Sequence, residues 1–195
     1  MDIKNDMIAV VFRVIFIIVC GAGLVMKLIY AGFGLSTVMG DFALVANALA
    51  LIYFAYLIIA RPRYERGMLR GAVTIYMVVT FIVYYFIHFG TGGTALDNLG
   101  LAGYLLYFAA PLMAAADYLL FCQKGGFSAY SPVLWAVLPA AFNLAVYLIN
   151  RMGLALTGIP YFNLLGLNLS ITLLVFLGIS YLLFVVDNLM AGRRR

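Results

Sequence analysis

RGAVTIYMVVTFIVYYFIHFG, residues 70–90, is the stretch of this sequence that decides the fold. It carries no formal charge between Arg70 and His88, so it is long enough and apolar enough to cross a bilayer as one helix. Its N-terminal flank is basic and holds three further arginines, whereas its C-terminal flank holds the only histidine of the chain. The stretch therefore predicts a membrane-spanning helix with two chemically different ends.

The whole chain has the composition of an integral membrane protein. Its 195 residues are 67% hydrophobic and only 10% charged, and a soluble domain of this size could not bury so much apolar surface. The apolar runs predict six spans with short connections, which form one all-α, up-and-down transmembrane bundle over residues 1–195. The predicted spans are 7–31, 37–60, 70–90, 100–122, 131–149 and 163–189.

Lysine and arginine predict the orientation of the bundle. Most basic residues flank one set of span ends, whereas only Lys27 and Arg151 flank the other set. By the positive-inside rule, both termini face the cytoplasm and the protein crosses the cell (inner) membrane six times. Topology and anionic lipid thus explain the net charge of +5, and nucleic acid is not an expected partner. The basic residues on the cytoplasmic side are Lys4, Arg61, Arg63, Arg66, Arg70, Lys124 and Arg193–Arg195.

Three charged residues lie inside the spans near the predicted cytoplasmic face. They are Arg13, Asp117 and Asp187, and each is costly in hydrocarbon unless it faces a partner or a cavity. We expect them to form structural ion pairs that hold helices together. The alternative is an inner gate or a proton site.

A second group of polar side chains lies in the outer half of the predicted spans. Several of them repeat every four residues and therefore share one side of a helix. One interpretation is a polar-lined cavity that opens outward, and the other is interhelical hydrogen bonding that holds the bundle together. The candidate substrate-binding residues are Asn47, Thr80, Tyr84, Tyr104, Tyr107, Asn143 and Asn168, with Asp41 at the same level.

His88 is the candidate general acid or base, oriented by Asp41 or Asp97, and the alternative role is that of an interfacial, hydrogen-bonded residue. The sequence contains no Gly-x-Ser-x-Gly, His-Glu-x-x-His or phosphate-loop motif that would supply a recognisable nucleophile or metal centre. The two cysteines, Cys20 and Cys122, are too few for a metal site, so no metal and no other cofactor is expected.

Several short motifs resemble those of bacterial six-span membrane proteins related to the androgen-induced proteins of animals. The resemblance covers nearly the whole chain and is most specific in the third and fourth spans. The motifs are Arg70–Thr74 with Thr80 and Val83-Tyr84, Pro111 followed by Asp117–Phe121, Phe42 with Asn47, and Ile159–Phe162 before the last span.

This resemblance implies a six-span fold and an intramembrane hydrolase of fatty acid esters of hydroxy fatty acids. The family implies a threonine nucleophile on the second span and a histidine early in the fourth. In this chain the threonine position reads Ala43, and the histidine position falls on Tyr107 or Leu106. Alanine offers no nucleophile, and tyrosine is a poor base near neutral pH. The resemblance therefore carries over the fold and not the catalytic pair.

The leading expectation is a membrane protein that keeps a lipid-sized, polar-lined cavity in its outer half and binds an acyl chain or a related amphiphile. Its partners would be membrane lipids and an acyl-chain ligand. The first alternative is an active ester hydrolase that uses His88 with Asp41 and a loop hydroxyl. The second alternative is a small transport or substrate-capture subunit.

Overall fold

The computed structural model describes residues 3–34, 41–60, 67–90, 100–153 and 169–192, with side chains for 7–34, 41–60, 67–85, 100–153 and 173–192. All secondary structure in these ranges is helical. A short π-helix, Tyr104–Ala109, interrupts the fourth helix. We number the helices α1 (Ile3–Tyr30), α2 (Phe42–Ala60), α3 (Gly67–Gly90), α4 (Gly100–Phe121), α5 (Ser131–Arg151) and α6 (Leu169–Gly192).

Each of these six helices is long and apolar enough to cross a membrane, which confirms the predicted set of six apolar helices and a multi-pass membrane protein. The described bounds lie close to the predicted spans. Helix α2 begins at Phe42, later than the predicted start at residue 37, and Asp41 therefore precedes the helix. Residues 154–168, which include the Ile159–Phe162 motif and Asn168, lie outside the described residues.

Helix α3, the product of the stretch 70–90, lies at the centre of the bundle. It contacts α2, α4, α5 and α6, whereas α1 packs against α2 and α4, and α5 packs against α6. Between Arg70 and Thr80 nearly every side chain of α3 is buried. A helix that is covered on several sides needs no polar face, and this explains why the stretch is an almost unbroken apolar run.

Trp135 attaches α5 to this central helix. Its indole Nε1 donates a hydrogen bond of 2.9 Å to the carbonyl of Met68, and its own carbonyl accepts one of 2.9 Å from the Tyr76 hydroxyl. The ring packs where Gly71 has no side chain, since an added Cβ would overlap with Cζ2 of the indole. Phe127 packs edge-on against the same ring with centroids 5.0 Å apart. The position of α5 is thus fixed by one close-packed indole.

Polar contacts between helices define two ends of the bundle. Arg13, early in α1, and Arg70, early in α3, both bind the carboxylate of Asp117 late in α4. We call this the Asp117 end. At the opposite end, which we call the Asp41 end, Tyr107 of α4 donates a hydrogen bond to Asp41 just before α2. The described helices thus bring together residues that are about 100 positions apart in sequence.

Candidate functional site

The candidate site is a group of four buried side chains at the Asp41 end, which we call the Asp41 cluster. It consists of Lys27, Asp41, Tyr84 and Tyr107, and their exposed fractions are only 8%, 3%, 7% and 7%. Each comes from a different part of the fold: the last turns of α1, the residue before α2, the end of α3 and the π-helix of α4. An ionisable residue buried in a membrane protein is a candidate for a functional site, so this cluster is the first candidate.

Asp41 is held at the start of α2 by local backbone geometry. Its Oδ1 accepts a hydrogen bond of 3.0 Å from the Ala43 amide, as an N-terminal capping residue does, and its Oδ2 accepts one of 2.5 Å from the Tyr107 hydroxyl. Burial raises the pKa of the Asp41 carboxyl, while the Tyr107 hydrogen bond and the positive charge of Lys27 oppose this rise. The side chain therefore joins the first turn of α2 to α4.

Lys27 lies beside this pair. Its ammonium lies 5.8 Å from the centroid of the Tyr107 ring and interacts electrostatically with Asp41. Among the described residues, no carboxylate and no other acceptor lies within bonding distance of the Lys27 nitrogen. Gly23, one turn earlier, allows α1 to approach α4 closely, since an added Cβ would lie 2.8 Å from Cγ of Leu106. This close approach brings Lys27 against the π-helix.

Aromatic rings complete the cluster. Tyr84 stacks on Tyr107 with ring centroids 5.9 Å apart and planes at 15°, and Tyr104 contacts Tyr84 edge-on at 6.5 Å. Tyr104 is half exposed, so it marks the outer edge of the cluster. The predicted catalytic residue His88 lies on α3 one turn after Tyr84, and its side chain is outside the described set.

Asn47 supports the π-helix that carries Tyr107. In the π-helix the Ala110 amide donates a hydrogen bond to the carbonyl of Leu105, five residues back. By the same spacing, the donor for the Leu106 carbonyl would be the backbone amide of residue 111, which is Pro111. Proline has no N–H, and Asn47 Nδ2 donates to this carbonyl instead, at 3.1 Å. Pro111 thus leaves a backbone carbonyl of the π-helix without a donor from its own helix, and Asn47 binds it.

The remaining hydrogen bonds of Asn47 also end on protein groups. Nδ2 donates to the Ala43 carbonyl at 2.8 Å, and the Cys20 thiol donates to Oδ1 at 3.4 Å. Two other predicted binding residues bond to their own helices: the Thr80 hydroxyl donates to Tyr76 and the Asn143 amide donates to Pro139. These three residues therefore donate hydrogen bonds to backbone carbonyls, whereas the Asp41 cluster consists of ionisable side chains.

The Asp117 end holds the residues that were expected to form ion pairs. Arg13 Nε lies 3.1 Å from Asp117 Oδ1, and Arg70 binds the other oxygen of the same carboxylate. Asp187 accepts hydrogen bonds of 2.7 Å from the Tyr118 hydroxyl and 2.8 Å from the Gly125 amide. Arg70 was predicted as a cytoplasmic basic residue and as part of the Arg70–Thr74 motif, but not as a partner for Asp117. Its place at the start of an apolar span is the signal that indicates such a partner.

Lys27 is the residue that sequence reasoning missed as a site candidate. It was assigned to a span end as one of two basic residues on its side, and only the fold shows that it is buried beside Asp41. Within the described ranges, no group of three or more His, Cys, Asp or Glu side chains could hold a metal ion. Comparisons of this chain with models of protein families, with curated proteins and with solved structures gave no match.

Proposed function

We propose that this multi-pass membrane protein binds an acyl-type amphiphile at the Asp41 end of its bundle. One observation carries the proposal: the side chains of Lys27, Asp41 and two stacked tyrosines lie together between apolar helices, each less than one-tenth exposed. A bundle needs only a few polar contacts to hold its helices, and Asn47 and the Asp117 end already supply them. The polar groups of the Asp41 cluster are suited to a head group, and the apolar helix surfaces around them to a tail.

The surface of α4 next to the cluster suits the tail of such a ligand. Leu101, Tyr104 and Phe108 follow one another at helical spacing, and all three are about half exposed. Tyr104 contacts Tyr84, so this apolar face is continuous with the Asp41 cluster. A ligand with its head near Tyr107 would lay its chain along this face.

The resemblance to androgen-induced proteins is part of the same proposal. Ala43 and Tyr107, at the positions where that family has its threonine and histidine, lie on either side of one carboxylate: Asp41 accepts a hydrogen bond from each. This proximity supports a retained lipid site in which the nucleophile and the base have been replaced. We also propose that both termini face the cytoplasm, because most basic residues of the sequence flank the span ends that are next to Arg70 and Lys124.

The test is the lipid content of the purified protein. Protein extracted from membranes in a neutral maltoside detergent should retain an acyl-containing adduct in native mass spectra, and Tyr107→Leu should lose at least nine-tenths of it. Asn143→Leu is the matched control, because Asn143 bonds only to its own helix and its loss should leave the adduct unchanged. Tyr107→Phe, which keeps the ring, guards against misfolding of the leucine variant. An adduct-free wild type, or equal adducts in Tyr107→Leu and Asn143→Leu, would refute the proposal.

A further inference from the structure

The segment that joins α4 to α5 covers the Asp117 end of the bundle. Residues 122–130 form no helix, and we call them the closing segment. Its Phe127 is buried and stacks on Tyr118 of α4, with ring centroids 5.8 Å apart and planes at 14°. The same ring packs edge-on against Trp135 of α5. Lys124 donates a hydrogen bond to the Tyr118 carbonyl. An aromatic side chain is thus inserted between two helices and closes this end.

A carboxylate joins the closing segment to α6. Asp187 is fully buried and accepts a hydrogen bond of 2.8 Å from the Gly125 amide and one of 2.7 Å from the Tyr118 hydroxyl. Gly125 has a φ of +80°, and a Cβ added there would lie 2.9 Å from that of Ala191, one turn after Asp187. The closing segment therefore stays against α6 through this acceptor and this close approach.

Ser180 lies two turns before Asp187, on the same side of α6. Its side chain is fully buried, and its hydroxyl has no hydrogen-bond partner in the described part of the chain. One turn earlier, Phe176 packs on Tyr76 of α3 with ring centroids 6.2 Å apart. The hydroxyl thus lies between this aromatic contact and the carboxylate that holds the closing segment. A buried hydroxyl without a partner costs stability, and a second state in which water reaches it would remove that cost.

From these contacts we infer that the closing segment is a gate at the Asp117 end, which Asp187 holds closed and which opens to admit water to Ser180. In the closed state Gly125 binds Asp187 and Ser180 has no partner. In the open state this hydrogen bond is broken, Phe127 leaves Tyr118, and water supplies a partner for the Ser180 hydroxyl. Helix α6 also packs against α5 and α3, so the bundle stays assembled when the gate opens.

The gate is independent of the ligand proposed above, because the closing segment and the Asp41 cluster lie at opposite ends of the bundle.

The accessibility of residue 180 to a charged thiol reagent tests the inference. Ser180→Cys is introduced together with Cys20→Ser and Cys122→Ser, and the purified protein in maltoside detergent is treated with 2-sulfonatoethyl methanethiosulfonate. This reagent modifies thiols that water reaches, and intact-mass spectra give the rate. We expect slow modification, and a rate roughly tenfold or more higher when Asp187→Ala removes the acceptor. Asp187→Asn keeps an oxygen for the Gly125 amide and should raise the rate less.

Gly125→Ala opens the gate without a change at Asp187. Its added Cβ meets that of Ala191, and its positive φ disfavours alanine, so the modification rate at residue 180 should again rise. Gly153→Ala is the matched control, because Gly153 has a similar φ of +83° and an added Cβ there meets nothing within 4 Å. It should leave the rate unchanged.

Thr80→Cys in the same background distinguishes an open gate from a loosened bundle. Thr80 is as fully buried as Ser180 but lies on the central helix α3. Its modification should stay slow when Asp187→Ala is added. An equal acceleration at residues 80 and 180 would mean general loosening and would overturn the gate. An unchanged rate at residue 180 in both Asp187→Ala and Gly125→Ala would overturn it as well.

Discussion

At the Asp117 end one buried carboxylate is shared by two guanidinium groups, whereas at the Asp41 end the buried carboxylate binds a phenol and Lys27 lies beside it without an ion pair to any described residue. Both ends place charge inside an apolar bundle, and both carboxylates are almost fully buried. They differ in which groups meet the carboxylate: two arginines at Asp117, and a tyrosine hydroxyl and a backbone amide at Asp41. Lys27 meets the Asp41 cluster through the Tyr107 ring and forms no ion pair with another described residue.

This difference separates two reasons for keeping a charge in a membrane protein. A charge that is fully paired within the chain serves the fold, and its removal should unfold the protein. A charge that forms no ion pair contributes less to the fold, and its removal should cost less stability. We therefore expect the removal of a charge to cost much more stability at the Asp117 end than at Lys27.

The largest expected effect comes from removing the shared carboxylate. Asp117→Ala leaves Arg13 and Arg70 buried without it and should destabilise the protein by about 3–5 kcal/mol. Lys27→Met removes an ammonium that forms no ion pair with the described residues and keeps the length of the side chain, so it should cost less than about 1 kcal/mol or stabilise the protein. Titration of the purified protein with sodium dodecyl sulfate in mixed micelles, followed by circular dichroism, measures both values.

A destabilisation by Lys27→Met as large as that by Asp117→Ala would show that the two ends do not differ. In that case Lys27 would be a structural residue. Asp117→Asn serves as the control for shape, because it keeps the volume and the hydrogen-bonding oxygen while it removes the charge. Its destabilisation should lie between those of the other two variants.

The packing of the Asp117 end gives the second comparison. Gly71→Ala places a methyl group against the Trp135 indole, which is held by its hydrogen bond to Met68, so the ring must move at a cost of about 1–3 kcal/mol. Gly178→Ala is the matched control, because an added Cβ on that α6 residue meets nothing within 4 Å. Trp135 is the only tryptophan, so its fluorescence reports the displacement directly. An unshifted emission spectrum and unchanged stability for Gly71→Ala would contradict the close packing described for α5.

The helices of this fold could be predicted because lipid imposes a simple rule on sequence. A helix that crosses the membrane needs about 20 apolar residues, and the runs around Gly21, Ala50 and Met77 satisfy this condition without reference to any tertiary contact. The central position of α3 was less accessible, since it depends on which helices pack together. Only the small residue Gly71 in an otherwise bulky run hinted at the close contact with α5.

The candidate site was predicted in part. Asp41, Tyr84 and Tyr107 were nominated as polar residues at one level, and the structure brings them together. Asn143 was nominated by the same criterion, yet its amide bonds to its own helix, because periodicity identifies a face and not what that face contacts. Lys27 was missed since a lysine at a span end usually extends to water, and only tertiary packing reveals its burial.

The smallest expected effect concerns Asn47, which supports the Asp41 end from within the bundle. Asn47→Leu removes the donor to the Leu106 carbonyl and should cost about 1 kcal/mol, whereas Asn143→Leu should cost less than about 0.5 kcal/mol. The amide of Asn47 reaches another helix, whereas that of Asn143 bonds to its own helix. The same detergent titration measures both costs.

A double mutant identifies the origin of the Asn47 contribution. Pro111→Ala supplies the backbone N–H that can donate to the Leu106 carbonyl. The helix can then satisfy that carbonyl without Asn47. The cost of Asn47→Leu should therefore fall by at least half in the Pro111→Ala background, a coupling that a double-mutant cycle measures. An equal cost in both backgrounds would mean that Asn47 stabilises α2 through Ala43 and Cys20 alone. The π-helix that carries Tyr107 would then be a property of α4 itself, and the Asp41 end would not depend on this asparagine.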